Sequence, residues 1–331
     1  MHYKFIAPKC VKSSFNSSFK ISWPCTIISI VIPTHNRPQA LDRSLASIFN
    51  QLDDSMKCKF QIIVVNDGSH TSYEQQKDCF SKSVVFIDVH PGRGVSNARN
   101  VGAKFASGKW ILFLDDDDEF KYGYLKKVLT IVESGDGNLF DFLWSSVQEN
   151  SYSDGRCIGR KLIKYHDLDY NRDRIKEKSI SVGASYGFMV RRSIFENLDG
   201  FDTSFSIAED TEFIVRLLTL KARPKLISTV GVIKHQHNQG RLSENFMKYS
   251  SSLVYEKIFL LHSDFFRREP QLYASLLYWS AKVHFESGNF LFGDACVRCL
   301  LKLIFVRFIK VCILMKSLIQ IRSRQFNKDH D

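Results

Sequence analysis

Five acidic residues, Asp115 to Glu119, directly follow five apolar ones, Trp110 to Leu114. A short, uninterrupted apolar run indicates a strand buried on both faces of a parallel sheet. The carboxylates should therefore emerge at the carboxyl end of the strand, where open α/β sheets bind their ligands. Oxygen ligands of this kind suit Mg²⁺ or Mn²⁺, particularly a metal that also holds substrate phosphates. The run therefore indicates a metal site, with a solvated acidic turn as the alternative.

A framework of strands and helices must hold these carboxylates at one edge of a sheet. Apolar runs predict buried strands at 27–32, 60–65, 84–89 and 110–114, and helical spacing predicts helices at about 38–49 and 95–106. Pro33 is expected to end the first strand. The resulting β-α-β-β-α-β order is typical of an α/β fold with a mostly parallel sheet and flanking helices.

The order of elements is harder to predict beyond Gly123. The patterns indicate helices at 124–132 and 208–220, strands at 140–147, 186–190 and 226–233, and a polar, irregular loop over the site at 148–180. From Lys248 onward the pattern is helical. We therefore expect a poorly ordered lead-in (1–25), an α/β domain (26–247) and a basic helical C-terminal region (248–331).

The composition is that of a globular protein with an uneven positive charge. Of 331 residues, 44% are hydrophobic and 24% are charged, which suits one sizeable domain with an appendage. The net charge of +11 is concentrated in a block without acids, which contains eight basic residues: Arg298, Lys302, Arg307, Lys310, Lys316, Arg322, Arg324 and Lys328. Its longest charge-free run is far shorter than the roughly 20 residues of a membrane-spanning helix.

Two interpretations of this basic block remain open. A helix lying on an anionic membrane surface would use such lysines and arginines. A C-terminal helix packed on its own domain, with its charges in water, would show the same pattern. Nucleic acid is not expected as a partner, because Phe305 and Phe308 are almost the only aromatic residues among the basic ones.

The cysteines and the first residues bear on the cellular compartment. Cys296 and Cys299 form a C-x-x-C pair, but no second pair completes a zinc site. The eight cysteines are therefore interpreted as reduced thiols. The first 25 residues have no apolar core typical of a secretory signal. A cytoplasmic protein is expected, peripheral at the inner face of the membrane if the basic block binds lipid.

Further polar groups follow the predicted strands, and their order resembles that of a known family. The matching segments are Ile30-Val-Ile-Pro-Thr-His-Asn-Arg37, Val64-Val-Asn-Asp-Gly-Ser69, Ala98-Arg-Asn100, Gly108-Lys-Trp-Ile-Leu-Phe-Leu-Asp-Asp-Asp-Asp118 and Glu209-Asp210. In this order they resemble the motifs of family 2 glycosyltransferases with the GT-A fold. Five ordered motifs are far more specific than any one of them. The resemblance covers roughly residues 26–247.

The resemblance implies a nucleotide-binding set. Asp67 would bind the base, most often uracil, and the first loop would border the nucleotide through Pro33, Thr34, Asn36 and Arg37. Asp116 would reach the ribose, with Asp115 as the alternative. Arg99 would approach the phosphates, although packing against the acidic run as a structural counter-ion is an equal alternative.

The resemblance also implies a metal site and a base. Asp115 and Asp117 match the D-x-D positions that hold Mn²⁺ or Mg²⁺, and His237 would complete the metal shell, with His235 as the alternative. Asp210 matches the family's catalytic base, in the first turn of a predicted helix whose dipole favours the ionised form. In the alternative interpretation, Glu209 and Asp210 only complement that dipole.

These residues together predict a metal-dependent glycosyltransferase. It would move a sugar, with inversion, from a UDP-sugar donor to a hydroxyl of a saccharide or lipid-linked acceptor. A nucleotidyltransferase would need a basic, Gly-rich loop after the first strand, and Pro33 to Arg37 is not one. A catalytically inactive nucleotide-sugar-binding partner subunit is the other alternative, against which the presence of both Asp117 and Asp210 argues.

Overall fold

The apolar runs of the first half of the chain form four parallel strands. The computed structural model describes residues 25–153, 156–165, 172–180, 182–184, 187–237, 251–286, 293 and 296–299. The four strands are β1 (Ile28–Thr34), β2 (Phe60–Asp67), β3 (Val85–Val89) and β4 (Trp110–Phe113), in the order β3-β2-β1-β4. Every residue of β1, β2 and β4 is buried. Burial on both faces explains why these strands are continuous apolar runs.

Five helices accompany this half. They are α1 (Pro38–Phe49), α2 (Asp54–Lys57), α3 (Glu74–Phe80), α4 (Val95–Lys104) and α5 (Tyr124–Glu133). The predicted β-α-β-β-α-β order was wrong between β2 and β3, where α3 connects the two strands. Only Gln76 of α3 is buried, so this helix has no apolar period by which it could be recognised.

The second half of the chain extends the sheet with strands of both directions. They are β5 (Glu119–Phe120), β6 (Phe142–Ser153), β7 (Arg156–Ile163), β8 (Met189–Arg191) and β9 (Pro224–His237). The order continues from β4 as β8-β6-β9-β5, and β7 pairs with β6. β6 and β9 are parallel to each other, whereas β5, β7 and β8 run antiparallel to their neighbours. The sheet is therefore mostly parallel, as predicted.

The irregular loop predicted at 148–180 was wrong. β6 continues to Ser153 because it pairs with β9 as far as His237, and β7 then returns as a hairpin strand. Nearly all of β7 is exposed, so its polar composition resembles that of a loop. The segment ends in helix α6 (Arg172–Ser179).

Helices cover both faces of the sheet. One face packs against α1 and α5 through Leu41, Leu45 and Leu125. The other packs against α4, against α7 (Arg192–Asn197) and against α8 (Glu209–Thr219). The alternating residues of β1 divide between these two cores, with Ile30 in the first and Val31 in the second.

The described part of the C-terminal region, residues 251–286, is helical, as predicted. Its helices are α9 (Ser251–Leu261), α10 (Ser263–Arg268) and α11 (Pro270–Glu286). Ile258 and Phe265 belong to the same apolar core as Phe213 of α8, and His262 Nε2 lies 2.9 Å from Glu212 Oε1. These helices therefore pack on the α/β domain.

Two predictions lie outside the described residues. They concern the lead-in, up to residue 24, and the basic block beyond Cys299. Among the residues that the structure describes, no helix is long and apolar enough to cross a membrane.

Candidate active site

The acidic loop, residues Asp115–Asp118, lies beside the end of β1 and the middle of α1. β4 and β1 are neighbours in register from Ile28 to Val31, so the residues that follow them meet. Thr34 Oγ1 donates a hydrogen bond of 2.6 Å to Asp116 Oδ2. Ser44 Oγ of α1 lies 2.7 Å from the carbonyl oxygen of Asp116 and 2.5 Å from that of Asp118. Strand β1 and helix α1 together shape the acidic loop.

Arg37 neutralises part of the acidic loop. Its guanidinium lies 2.7 Å from Asp116 Oδ1 and 2.6 Å from Asp117 Oδ2. Asp116 is fully buried, and burial raises its pKa to about 7, although Arg37 and Thr34 oppose that rise. Arg37 is half exposed. Arg37, in the loop after β1, therefore pairs with the acidic loop while part of its side chain stays in contact with solvent.

Three carboxylates of the acidic loop could share one cation. Ligand oxygens of Asp115, Asp117 and Asp118 all lie within 4.8 Å of one another. Asp118 is buried, and its Oδ2 has no hydrogen-bond partner among the described residues. Burial, together with the charges of Asp115 and Asp117, raises the pKa of Asp118. An all-oxygen set with one unpartnered buried oxygen fits a hard divalent cation such as Mg²⁺ or Mn²⁺.

Asp118 is a member of this set that the sequence prediction missed. Nothing in a run of four aspartates distinguishes the members that face the site from those that face the core. Asp116, the residue between the predicted D-x-D positions, instead bonds Thr34 and Arg37. The alternating D-x-D pattern therefore did not predict the whole set of clustered aspartates.

Asp67 is held at the end of β2 by a glycine-containing loop. Its two oxygens accept hydrogen bonds from the backbone N–H groups of Arg93 (2.9 Å) and Gly94 (2.7 Å). A Cβ at Gly92 would lie 2.5 Å from the Asp67 carbonyl oxygen, so only glycine permits this approach. The segment from Gly92 to Gly94 therefore orients Asp67.

Asn36 joins the ends of β1 and β2. Its φ of 55° lies in the left-handed region, which asparagine tolerates better than most residues. The side-chain oxygen accepts hydrogen bonds from the N–H groups of His70 (2.8 Å) and Thr71 (3.2 Å). The Asn36 N–H donates to Ser69 Oγ at 2.8 Å. The two loops therefore form one surface.

Pro33 does not end the first strand, contrary to prediction. It is buried within β1, which continues to Thr34. β4 pairs with β1 only as far as Val31, so Pro33 has a strand neighbour on one side only. A proline is tolerated at such an edge because the missing N–H needs no partner there.

Arg99 links the acidic loop to the start of α8. Its Nη2 lies 2.7 Å from Asp115 Oδ1 and its Nη1 lies 2.6 Å from Glu209 Oε1. The side chain is buried. This geometry favours the counter-ion interpretation of Arg99. Burial and the nearby charge of Asp210 raise the pKa of Glu209 to about 7, against the lowering effect of Arg99.

Asp210 lies beside Glu209 in the first turn of α8. Ala208 precedes the pair in a left-handed conformation, with φ of 56°. Asp210 Oδ2 accepts a hydrogen bond from the Ala184 N–H (3.0 Å) and Oδ1 from the Thr211 N–H (2.7 Å). Asp210 is partly exposed, whereas Glu209 is buried. Of the two neighbours, only Asp210 combines fixed orientation with access to solvent.

The two histidines predicted near the metal have different positions. His235 is buried, with Nε2 2.7 Å from Glu119 Oε1 and Nδ1 3.0 Å from Tyr152 Oη. Its two ring nitrogens are therefore engaged beside the acidic loop. His237 is the last residue of β9, and its side chain lies outside the described part of the chain.

Comparisons with known proteins identify the family of this chain. The model of the family "Glycosyl transferase family 2" matches residues 29–199. An uncharacterised glycosyltransferase of Haemophilus influenzae is 26% identical over 58% of this chain and 62% of its own length, so the chain spans less than two thirds of that relative. A Campylobacter jejuni enzyme described as a GalNAc(5)-diNAcBac-PP-undecaprenol beta-1,3-glucosyltransferase is 30% identical over 34% of this chain and 37% of its own length.

The fold is also found in a solved structure. The crystal structure of S. aureus TarS 1-349 in complex with UDP-GlcNAc aligns with a TM-score of 0.62, at 17% identity, over 89% of each chain. This likeness shows the GT-A fold. Since the family model covers more than half of the chain and includes the ends of β1 and β2 and the acidic loop, the protein belongs to glycosyltransferase family 2.

Proposed function

We propose that the protein transfers a sugar from a UDP-sugar to an acceptor hydroxyl with inversion, and that Asp210 is the base. The observation that carries the proposal is the link through Arg99. It holds the three-carboxylate cluster of the acidic loop and the Asp210 turn of α8 in one site. The proposed diphosphate site and the proposed site of proton abstraction would thus be adjacent.

The ends of β1 and β2 would bind the donor. Asp67, oriented by two backbone N–H groups, would accept a hydrogen bond from uracil. Pro33, Thr34, Asn36 and Arg37 would border the nucleotide, and Asp116 would support Arg37 rather than contact the ribose. The solved structure with UDP-GlcNAc supports a UDP-sugar as the donor.

A divalent cation, Mn²⁺ or Mg²⁺, would be held by the acidic loop. Asp115, Asp117 and Asp118 would supply the ligands, and His237 stays a predicted fourth one. When bound, the cation would stabilise the charge on the leaving diphosphate. Arg37, already paired with Asp117 at 2.6 Å, would add positive charge at the same place. Such electrostatic stabilisation is commonly the largest part of catalysis.

Asp210 would take the proton of the acceptor hydroxyl. An alcohol is a poor nucleophile until its proton leaves, so a carboxylate within hydrogen-bond reach is needed. The oxygen would then form a bond to the anomeric carbon as the bond to the diphosphate breaks, and one such displacement inverts the configuration. The Ala184 N–H holds Asp210 in place, and the helix dipole favours its ionised form.

The acceptor is proposed to be a saccharide or a lipid-linked saccharide. The Campylobacter jejuni relative is described as a transferase for a PP-undecaprenol-linked saccharide, which supports a substrate at a membrane surface. A cytoplasmic protein that meets an anionic membrane through residues 296–331 would be consistent with this acceptor. We do not expect nucleic acid as a partner.

One assay tests the proposal. The purified protein is incubated with Mn²⁺ and a panel of UDP-, GDP- and dTDP-sugars, and release of the nucleoside diphosphate is followed. Slow hydrolysis of a UDP-sugar is the expected result. In a parallel incubation with nucleoside triphosphates and sugar phosphates, release of pyrophosphate would indicate a nucleotidyltransferase instead. Binding of every sugar nucleotide without turnover, even when acceptors are added, would indicate an inactive partner subunit.

A further inference from the structure

A groove with a positive lining lies on β9 away from the candidate active site and has no part in the proposed chemistry. It has a volume of about 480 Å³ and is lined by Lys121, Tyr122, Lys127, Lys164, Ser228 and Thr229, among others. A smaller depression of about 280 Å³ shares Lys127, Ser228 and Thr229 and adds Lys225. None of the residues that line either depression is acidic. We call the two together the lysine groove.

The charges of the lysine groove are uncompensated within the part of the chain that the structure describes. Lys121, Lys127 and Lys164 are exposed, and no acidic side chain of the described residues lies within 4.0 Å of their amines. Three ammonium groups around one depression repel each other, which an anion placed between them would relieve. The groove therefore favours a negatively charged ligand.

The backbone of β9 forms a β-bulge at the lysine groove. β9 pairs with β6 from Ser145–Ile227 directly to Ser146–Val230, so Ser228 and Thr229 form an insertion in the ladder. The Ser146 hydroxyl fixes this bulge by donating 2.7 Å to the Ser228 carbonyl oxygen. Bulges of this kind redirect side chains beside functional sites. Here the bulge places two residues with hydroxyl groups among the lysines.

An exposed aromatic residue completes the lining. Tyr122 is 83% exposed, whereas its near neighbour Tyr124 is buried and donates 2.8 Å to the Gly187 carbonyl oxygen. An exposed tyrosine ring offers an apolar face and a polar tip, which suits the C–H face of a sugar. Ammonium groups, hydroxyls and an aromatic ring together suit a saccharide or polyol chain that carries phosphate.

The position of the lysine groove connects it with the active site. Glu119 and Phe120 of β5 pair with Ile233 and Val232 of β9, and the Lys121 N–H then donates 2.9 Å to the Gly231 carbonyl oxygen. The groove thus begins where the chain leaves the acidic loop. From His235 to Thr229 is a distance of about 20 Å along β9 at ~3.3 Å per residue. A chain with repeated phosphates could occupy both places.

We propose that the lysine groove binds the phosphodiester groups of an anionic, phosphate-bearing polyol or saccharide chain, and so holds an acceptor whose end reaches the active site. The reach to the active site rests on the proposed function. Binding of the chain to the groove does not, and can be measured without turnover.

The test uses the full-length protein and a fluorescent poly(glycerol phosphate) oligomer, with binding followed by anisotropy at about 0.15 M salt, where long-range charge effects are screened. Lys127→Glu is compared with Lys126→Glu, which makes the same charge change on the same exposed surface of α5 but outside the groove. Lys127→Glu should weaken binding about tenfold and Lys126→Glu less than twofold. Lys164→Glu should reproduce the Lys127→Glu loss, and both variants should keep the wild-type melting temperature.

Three outcomes would overturn the proposal. One is an equal loss in Lys126→Glu, which would indicate general attraction to a basic protein. Another is equal binding of a neutral dextran oligomer. The third is a loss of binding to phosphatidylglycerol vesicles but not to the oligomer, which would make the groove a lipid contact. Hydrolysis of the UDP-sugar without acceptor should be unchanged in Lys127→Glu. If the wild type shows no such hydrolysis, the proposed function fails while the binding result still decides the groove.

Discussion

The two halves of the sheet bring polar groups to the candidate active site by different means. In the parallel half, β1, β2 and β4 each end in the residues that would contact the donor, so a strand and its functional group are adjacent in sequence. In the mixed half, Asp210 and Glu209 come from α8 and the N–H that orients Asp210 comes from Ala184. The first arrangement is local, and the second depends on contacts between distant segments.

Arg99 joins the two halves by forming an ion pair with each of them. Its partners Asp115 and Glu209 lie 16 and 110 residues away in the sequence. The acidic loop would hold the donor and the start of α8 would act on the acceptor. Variants in the parallel half should therefore alter donor affinity, and variants at α8 should alter turnover.

The largest expected effect belongs to Asp210→Asn. Amide and carboxylate have nearly the same size, so fold and UDP affinity should be kept, while transfer falls by about 10²–10⁴-fold. Transfer rate, UDP affinity and melting temperature are measured on one preparation. Asp264→Asn, which removes an exposed carboxylate of α10, should leave all three unchanged. Intact turnover with a stability loss of at most about 1 kcal/mol would support the dipole interpretation and direct attention to Glu209.

Arg99→Met should destabilise the fold by about 3–5 kcal/mol, because Asp115 and Glu209 would both lose their shared partner at a buried position. Urea unfolding followed by circular dichroism measures the change. Arg267→Met removes an arginine from an exposed pair with Asp264 and should cost less than about 1 kcal/mol. Equal costs for the two variants would show that the Arg99 link does not stabilise the molecule.

Glu209 should make stability depend on pH. Its pKa is about 7 in the folded protein, against an ordinary value of 4.5. The folded state therefore binds more protons than the unfolded state between these values, and stability falls as the pH rises through this window. The raised pKa of Glu209 should change the free energy of unfolding by about 3 kcal/mol across this window. Urea unfolding of wild type and Glu209→Gln at pH 4.5 and 7.5, in EDTA, separates this change from that of the other titrating groups. Parallel pH profiles would refute the raised pKa.

The smallest effects are expected at Asn36, in the loops of the parallel half. Asn36→Gly keeps the left-handed backbone but loses three exposed side-chain hydrogen bonds, with His35, His70 and Thr71, for a cost of about 1 kcal/mol. Asn36→Ala should cost about 1 kcal/mol more, because alanine is strained at a φ of 55°. Both should raise the KM for the donor without changing kcat. A change in kcat alone would indicate that these loops act on the chemical step.

The parallel half could be predicted from the sequence because its strands are buried on both faces and end in their functional residues. The strands Ile28–Thr34, Phe60–Asp67 and Trp110–Phe113 follow from apolar runs to within two residues at each end, although Pro33 was wrongly expected to end the first of them. α3 was missed because only Gln76 of that helix is buried. β7 was missed because an exposed strand needs no apolar face.

The site residues divide in the same way. The convergence of Thr34, Arg37 and the acidic loop follows from strand order, whereas the ion pair of Arg99 with Glu209 and the contact of His235 with Glu119 join segments 110 and 116 residues apart. Apolar period and local spacing carry no information about such pairs. The inward orientation of Asp118 was also hidden, since a run of four aspartates has no internal contrast.

The central claim is that the acidic loop binds the diphosphate of the donor through a divalent cation. Isothermal titration of UDP into wild type and Asp117→Asn, each with Mn²⁺ and with EDTA, tests it most directly. The wild type should bind UDP at least about tenfold more tightly with Mn²⁺, since a metal held by carboxylates also holds phosphates. Asp117→Asn should bind weakly in both conditions. Equal affinity of the wild type for UDP in Mn²⁺ and in EDTA would contradict the claim.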